Sequence, residues 1–243
     1  MATLLLRLAG PLQSWGTTSR FVRRNTDRAP SKSGVIGLLA AADGRRRTDP
    51  LDDLLELRIG VRIEQAGHIE RDFQTARTRD GEHSMPLSYR FYLADAVFLV
   101  AVEGEAELIT GMHDALRRPV FPLYLGRRSC PPAGPIALGV RENPAAEVLQ
   151  SEPWRASTWV QRRQRGPEVT LDTVIDCPPG EPGSDVVRDE PLSFDPRRRE
   201  YGWRSVKHSR VTVPNPSHRG ATNTTSPPAR AEDHDPFTAF EGR

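Results

Sequence analysis

The chain has 243 residues, 37% of them hydrophobic and 27% charged, enough for one domain with an appendage or for two small domains. No run of about 18 apolar residues occurs, which argues against a helical membrane span. A net charge of +2 excludes recognition of nucleic acid by bulk charge alone, and the two cysteines, Cys130 and Cys177, leave no second pair for a CxxC-type metal site. The kind of cation says more: only Lys32 and Lys207 are lysines, so 32 of the 34 basic residues are arginine, the side chain suited to bidentate phosphate contacts and to stacking.

Residues 3–8 are an apolar run ended by Gly10-Pro11. With so little alternation they read as a central first strand. A strand at the start, rather than a positively charged leader, makes a cytoplasmic protein the expectation. Trp15 follows in a polar stretch, where a tryptophan either stacks on a base or plugs the core, the commoner use. A basic loop with Arg20, Arg23, Arg24 and Arg28 leads to Pro30. Pro30 and Ser31 then start a helix over about 31–42, with Val35, Leu38, Leu39 and Ala42 on one face. Gly37, Ala40 and Ala41 make its other face small rather than charged, so the helix is expected to be packed on most sides. Its first turn combines free N–H groups with Ser31, Lys32 and Ser33, a fitting anion site. A plain capped helix explains the same residues, and on this stretch alone it is the commoner case.

Leu57, Ile59, Val61 and Ile63 alternate with Arg58, Gly60, Arg62 and Glu64, which predicts a strand with one buried and one polar face. Residues 72–75 and 87–93 predict the arms of a projecting hairpin with Arg77, Arg79, Asp80-Gly81 and His83 near its tip. Residues 96–102 are continuously apolar, a buried strand. Leu108, Ile109, Met112, Ala115 and Leu116 have helical spacing, and Pro119 stops that helix. A loop rich in Gly and Pro follows over about 121–134, and Ile136, Leu138 and Val140 form one more strand. The order strand, helix, strand, strand, helix, strand over residues 3–140 is that of an α+β, ferredoxin-like (RRM-like) unit. Both helices then cover one sheet face and leave the other open.

Past about residue 144 the composition shifts. Residues 158–160, 169–175 and 210–213 are strand-like, separated by stretches such as Pro178-Pro179-Gly180-Glu181-Pro182-Gly183. They predict a small β-rich second unit, or strands that pack back onto the first. Residues 215–243 are rich in Pro, Asn, Ser and Thr without apolar period and read as flexible or peripheral. The boundaries are thus 1–143, with the hairpin at about 70–95, then 144–214 and 215–243.

Chemistry is sparse. No histidine pairs with another His or a carboxylate at metal-ligand spacing, and GxSxG, Walker A and GxGxxG after a strand are missing, so neither metal nor cofactor is expected. Metal-free RNA cleavage would draw on Tyr124, or on Lys207 with His208, but their spacing gives no specific support. The 123–132 loop reads either as a backbone cradle for phosphate or as a stiff surface loop. In the first reading Gly126 permits close approach, Arg127 and Arg128 neutralise charge, and Tyr124 stacks.

Three segments carry a family resemblance: Leu6-Arg7-Leu8-Ala9-Gly10-Pro11-Leu12-Gln13-Ser14-Trp15-Gly16, Pro30-Ser31-Lys32-Ser33-Gly34-Val35-Ile36-Gly37-Leu38-Leu39, and Pro122-Leu123-Tyr124-Leu125-Gly126-Arg127-Arg128-Ser129-Cys130-Pro131. Together with Asp72-Phe73-Gln74-Thr75 and Tyr89-Arg90-Phe91-Tyr92-Leu93-Ala94-Asp95, they resemble the CasD subunit family of the type I-E CRISPR Cascade complex, in the repeat-associated mysterious protein (RAMP) superfamily. The resemblance covers residues 3–140 and is loose beyond 144. It implies a ferredoxin-like RAMP domain with an inserted thumb hairpin and a glycine-rich loop. It also implies a non-catalytic role in antiviral defence. The protein would cap the 5′ handle of the CRISPR RNA (crRNA), contact the large subunit and a backbone subunit, and meet target DNA only through the complex. The RNA contacts expected on this basis are Gln13, Ser14, Trp15, Arg20, Arg24, Ser31, Lys32, Ser33, Gln74, Tyr89, Arg90, Tyr124, Gly126, Arg127, Arg128, Ser129, Arg204, Lys207 and His208. The alternative is a metal-independent endoribonuclease acting on CRISPR precursor RNA.

Overall fold

The computed structural model describes residues 1–16 and 23–218. Arg20 and the segment 219–243 lie outside the described residues. Seven strands form one sheet in the order β10-β11-β9-β4-β7-β1-β8. They are β1 (Ala2–Ala9), β4 (Arg58–Gln65), β7 (Val97–Gly104), β8 (Ala137–Arg141), β9 (Glu168–Cys177), β10 (Ser184–Ser193) and β11 (Glu200–Pro214). Every neighbouring pair runs antiparallel. β1 and β7 lie at the centre of the N-terminal half, and apart from half-buried Arg7 both are buried along their whole length, as their unbroken apolar runs require. The C-terminal strands do not stand apart: β9 pairs with β4 through Val61↔Val174, so one sheet runs through both halves.

Helices α1 (Lys32–Ala42) and α3 (Ala106–Arg117) share one apolar core with β1, β4 and β7. Val35, Ile36, Leu38, Leu39, Ala40 and Ala42 of α1 are buried, which fits a helix with no charged face. A short turn of helix, α2 (Asp52–Leu55), contributes Leu54 to the same core.

The opposite sheet face departs from the sequence expectation. It is not open: α4 (Ala145–Ser151) lies on it, packing Ala145, Val148 and Leu149 against Leu5, Leu99 and Ala101. Most of the polar face expected for β4 is therefore interior, with Arg58 at its start left exposed. Arg62 is fully buried, bonded through Nε to Glu64 (2.5 Å) and through Nη1 and Nη2 to the carbonyls of Leu149 (2.5 Å), Glu152 (2.8 Å) and Pro153 (2.9 Å). Burial pushes the Glu64 carboxyl up, against the pull of Arg62. The strand alternates as its sequence predicts, but the layer covering its polar face comes from 90 residues further along the chain. Residues 158–160, expected as a strand, instead begin α5 (Thr158–Arg163), because Val160 packs as a helical residue near Trp154, Leu171 and Val213.

A second sheet holds the hairpin. β6 (Ser88–Ala94) pairs with β2 (Leu12–Gln13), β3 (Arg23–Arg24) and β5 (His68–Gln74). All of β5 is exposed, as are Phe73 and Met85, so the hairpin projects from the body.

Candidate nucleic-acid interface

The three motif segments meet on one indole ring. Trp15 is 1% exposed, and its Nε1 donates to Gln13 Oε1 (3.1 Å). Gln13 is itself buried, with Nε2 donating to the carbonyls of Ala96 (2.7 Å) and Leu8 (3.3 Å). The ring lies over the first turn of α1, so closely that a Cβ on Gly34 would sit 2.7 Å from it. On the other side Ser14 N–H donates to Leu125 O (3.1 Å), and Ser14 Oγ to Phe91 O (3.3 Å). Gly126 has φ +83°, and a Cβ there would stand 1.7 Å from Ser14 O, so only glycine fits.

The glycine-rich loop is thereby fixed from below. Leu125 N–H bonds Cys130 O (2.8 Å) and Cys130 N–H bonds Arg127 O (2.9 Å), with Leu125 and Cys130 buried. Gly126, Arg128 and Ser129 are left exposed and Tyr124 half-buried. Arg127 lies 4.7 Å over the Tyr92 ring, and its Nη2 donates to Arg24 O (3.0 Å). Arg24 in turn pairs in register with Arg90. Arg24, Arg90 and Arg127 therefore converge from three separate segments. Arg127 Nη1 and Arg90 Nε are buried without a hydrogen-bond partner among the described residues. Orphaned guanidinium nitrogens are uncommon and call for an acceptor. On the hairpin beside them, Arg71 lies 5.5 Å over the exposed Tyr89 ring, and Gln74 bonds Asp72 (3.2 Å).

Several expected RNA contacts are reassigned by the structure to the interior. Trp15, Gln13 and Ser14 are buried joints rather than surface groups. The anion site at the start of α1 exists, but a carboxylate of the chain fills it: Lys32 N–H donates to Asp189 Oδ2 (2.7 Å). Ser31 is spent as the N-cap of Gly34 N–H (3.2 Å) and on Ser33 Oγ (3.3 Å). The Lys32 side chain is 6% exposed, with Nζ between Asp176 (3.3 Å) and Glu190 (3.1 Å). Arg204 joins the same cluster, gripping Asp189 through Nε (2.5 Å) and Nη2 (2.9 Å) and also pairing with Asp176. Burial works against its charge, yet Asp189 and Asp176 outweigh burial and hold its pKa above the ordinary value. These residues clamp β9–β11 onto α1, with their charges already met by carboxylates of the chain.

Lys207 and His208 are exposed. Lys207 is tied to Glu181 (2.6 Å), which raises its pKa, and His208 lies 3.7 Å from Asp185. Being consecutive in β11 they point to opposite faces, so they cannot serve one scissile phosphate as an acid–base couple. Among the described residues no group of three His, Cys, Asp or Glu could hold a metal ion, and no helix is long and apolar enough to cross a membrane.

One feature of the site was missed. A cleft of about 790 Å³ opens between residues 27–31 and the C-terminal strands, lined in part by Arg28, Ser31, Thr173, His208, Ser209 and Arg210. Arg28 belongs to the basic loop already singled out. Arg210 could have been found from His208, since positions two apart on a strand share a face.

Residues 3–207 match the model of a CRISPR-associated protein family, Cas5. The CRISPR system Cascade subunit CasD of Escherichia coli (strain K12) is 30% identical over 217 residues, covering 80% of this chain and 91% of that protein. A chain of a solved CRISPR RNA-guided surveillance complex superposes with a TM-score of 0.71 at 36% identity, covering 90% of this chain and 93% of that one. The crystal structure of a Cas protein gives a TM-score of 0.66 at 38% identity, covering 89% and 97%.

Proposed function

Because this chain belongs to the Cas5 family of CRISPR-associated proteins, we propose that it is the subunit of a type I-E surveillance complex that holds the 5′ handle of the guide RNA without cutting it. The observation that carries this reading is the meeting of Arg24, Arg90 and Arg127 beside the fixed glycine-rich loop, with guanidinium nitrogens lacking acceptors. Phosphate oxygens supply such acceptors, and planar guanidinium forks match them. Gly126 and Ser129 offer close backbone approach, Arg128 adds charge, and Tyr124 adds a stacking face. The projecting hairpin serves as the thumb on which the handle bends.

The relation of β4, β7, β1 and β8 supports treating residues 1–143 as a ferredoxin-like RAMP unit, with 144–214 as a β-rich addition to its sheet. The partners on this reading are the crRNA, the large subunit and a backbone subunit. Cleavage is disfavoured by the opposed faces of Lys207 and His208.

The test is co-purification. Arg24→Glu with Arg128→Glu changes two exposed side chains, so the complex is expected to assemble while guide RNA per complex falls several-fold. Equal guide content in wild type and variant sinks the proposal. Site-specific cutting of repeat RNA by the purified protein in chelator, abolished by Tyr124→Phe, would replace it with the nuclease reading.

A further inference from the structure

A second cluster of cations lies away from the glycine-rich loop, at α5. The helix packs half-buried Val160 against Trp154, Leu171 and Val213. Its outer side therefore carries Trp159, which is 56% exposed, with Arg162 and Arg163 three and four residues on, in the same neighbourhood of the helix surface. Arg165 follows directly. Arg162, Arg163 and Arg165 are exposed, and among the described residues none has a carboxylate or other side-chain partner. Three unpaired guanidinium groups within four residues make this corner a local excess of positive charge.

The corner is also built rather than incidental. Asn215, 5% exposed, reaches the carbonyls of Gln161 (3.0 Å), Gln164 (3.1 Å) and Gly166 (3.3 Å) through Nδ2. Its Oδ1 accepts Ser217 N–H (3.0 Å), its carbonyl accepts His218 N–H (3.1 Å), and Ser217 Oγ bonds Gln161 Oε1 (2.9 Å). The chain leaving β11 is thus folded back over α5. A cleft of about 670 Å³ results, lined by Arg162, Gln164, Arg165, Pro216, Ser217 and His218.

Register places this corner. Ala9 and Gln65 both pair with Val97, so the glycine-rich loop and the hairpin leave the sheet at that end. Arg62 pairs with Thr173, so Glu168, paired with Pro214, lies toward the same end. Ser157, just before α5, bonds Gln65 Oε1 (2.7 Å) at the foot of the hairpin.

We propose that the α5 corner is a second binding site for single-stranded nucleic acid, with backbone phosphates on Arg162 and Arg165 and a base stacked on Trp159. Free arginines beside an exposed aromatic ring suit single strands, whose bases are available to stack, better than duplexes. The site is separate from the residues proposed to hold the handle and does not depend on that reading.

The full chain is titrated with a 12-nucleotide RNA, the same sequence as single-stranded DNA, and its duplex, at several salt concentrations. Arg162→Glu with Arg165→Glu is expected to weaken single-strand binding about tenfold or more and to reduce the salt slope by about 1.4, at about 0.7 per phosphate contact. The paired lysine variant keeps the slope. Strand binding quenches tryptophan fluorescence, and Trp159→Leu removes that quench while Trp203→Leu retains it. The RNA and DNA arms tell a guide from a DNA strand as the occupant. Arg128→Glu in the glycine-rich loop leaves the Trp159 quench in place, so the two sites fail independently. The proposal is overturned if the double variant keeps wild-type affinity and salt slope, if the quench survives Trp159→Leu, or if duplex binds as tightly as single strands. It is equally overturned if the variant loses a protein subunit from the complex while its affinity for single strands stands.

Discussion

Lys32→Met separates two uses of one lysine. As a phosphate contact, Lys32 would be exposed, and its loss would lower RNA affinity and the salt slope by about 0.7 while leaving stability within about 0.5 kcal/mol. The structure instead places Nζ between Asp176 at 3.3 Å and Glu190 at 3.1 Å, with a side chain 6% exposed. Removing one partner of a buried pair costs about 3–5 kcal/mol, because the remaining charge is left unpaired. Here the loss is smaller. Asp176 keeps Arg204 and the Ile59 N–H (3.0 Å), and the Glu190 side chain, 26% exposed, recovers some hydration. A loss of about 2–3 kcal/mol remains, which at a denaturant slope of about 3 kcal/mol/M moves the urea midpoint down by about 1 M. Urea denaturation followed by circular dichroism reads the midpoint, and RNA titration at three salt concentrations reads the slope. An unmoved midpoint with a reduced salt slope would refute the assignment of Lys32 to the interior.

Two further substitutions test the site and its support. Gly126→Ala puts a Cβ 1.7 Å from Ser14 O at φ +83°, a contact with backbone that no rotamer relieves. The left-handed conformation alone costs about 1–2 kcal/mol, so both the melting temperature and guide retention are expected to fall, and wild-type values for both would show the loop to be looser than described. Glu152 concerns pH: burial alone would raise its pKa, but Arg155 at 2.9 Å and Arg141 at 2.7 Å outweigh burial and hold it below the usual 4.5. A depressed folded-state value means stability that is present above 4.5 and lost as pH falls through the folded value. Glu152→Gln is expected to flatten stability against pH in that acid window, which denaturation at pH 3 to 6 measures.

Local chemistry was legible in the sequence, while the source of each partner was not. The α1 helix, the buried run at β7 and the projecting hairpin follow from periodicity and turn residues, because those signals are confined to a dozen neighbouring positions. The alternation in β4 was equally clear, yet its polar members Arg62 and Glu64 are buried, since α4 and residues 149–155 close over them. Nothing within β4 announces a cover supplied so far along the chain. The helix at 145–151 and the one at 158–163 escaped because both are short, and a helix under two turns has too little periodicity to read.

The same limit decides which arginines bear on function. With 32 arginines, composition points to phosphate at many places at once. Pairing sorts them. Arg62 and Arg204 are committed to carbonyls and carboxylates of the chain, and Arg58, Arg141 and Arg155 each hold a buried carboxylate, although Arg155 also keeps a buried Nε without an acceptor. An arginine so occupied stabilises the fold and presents little to a ligand. Arg90 and Arg127 differ, meeting beside exposed Arg24 with buried nitrogens left without acceptors, and Arg162 and Arg165 differ again, exposed beside a tryptophan and unpaired among the described residues. Lys32 makes the contrast sharpest. The first turn of its helix accommodates an anion, and that anion is Asp189, brought from 157 residues away by the last hairpin of the sheet. A charge motif in a sequence states what kind of group it will hold, and only the fold decides whether that group is the chain's own.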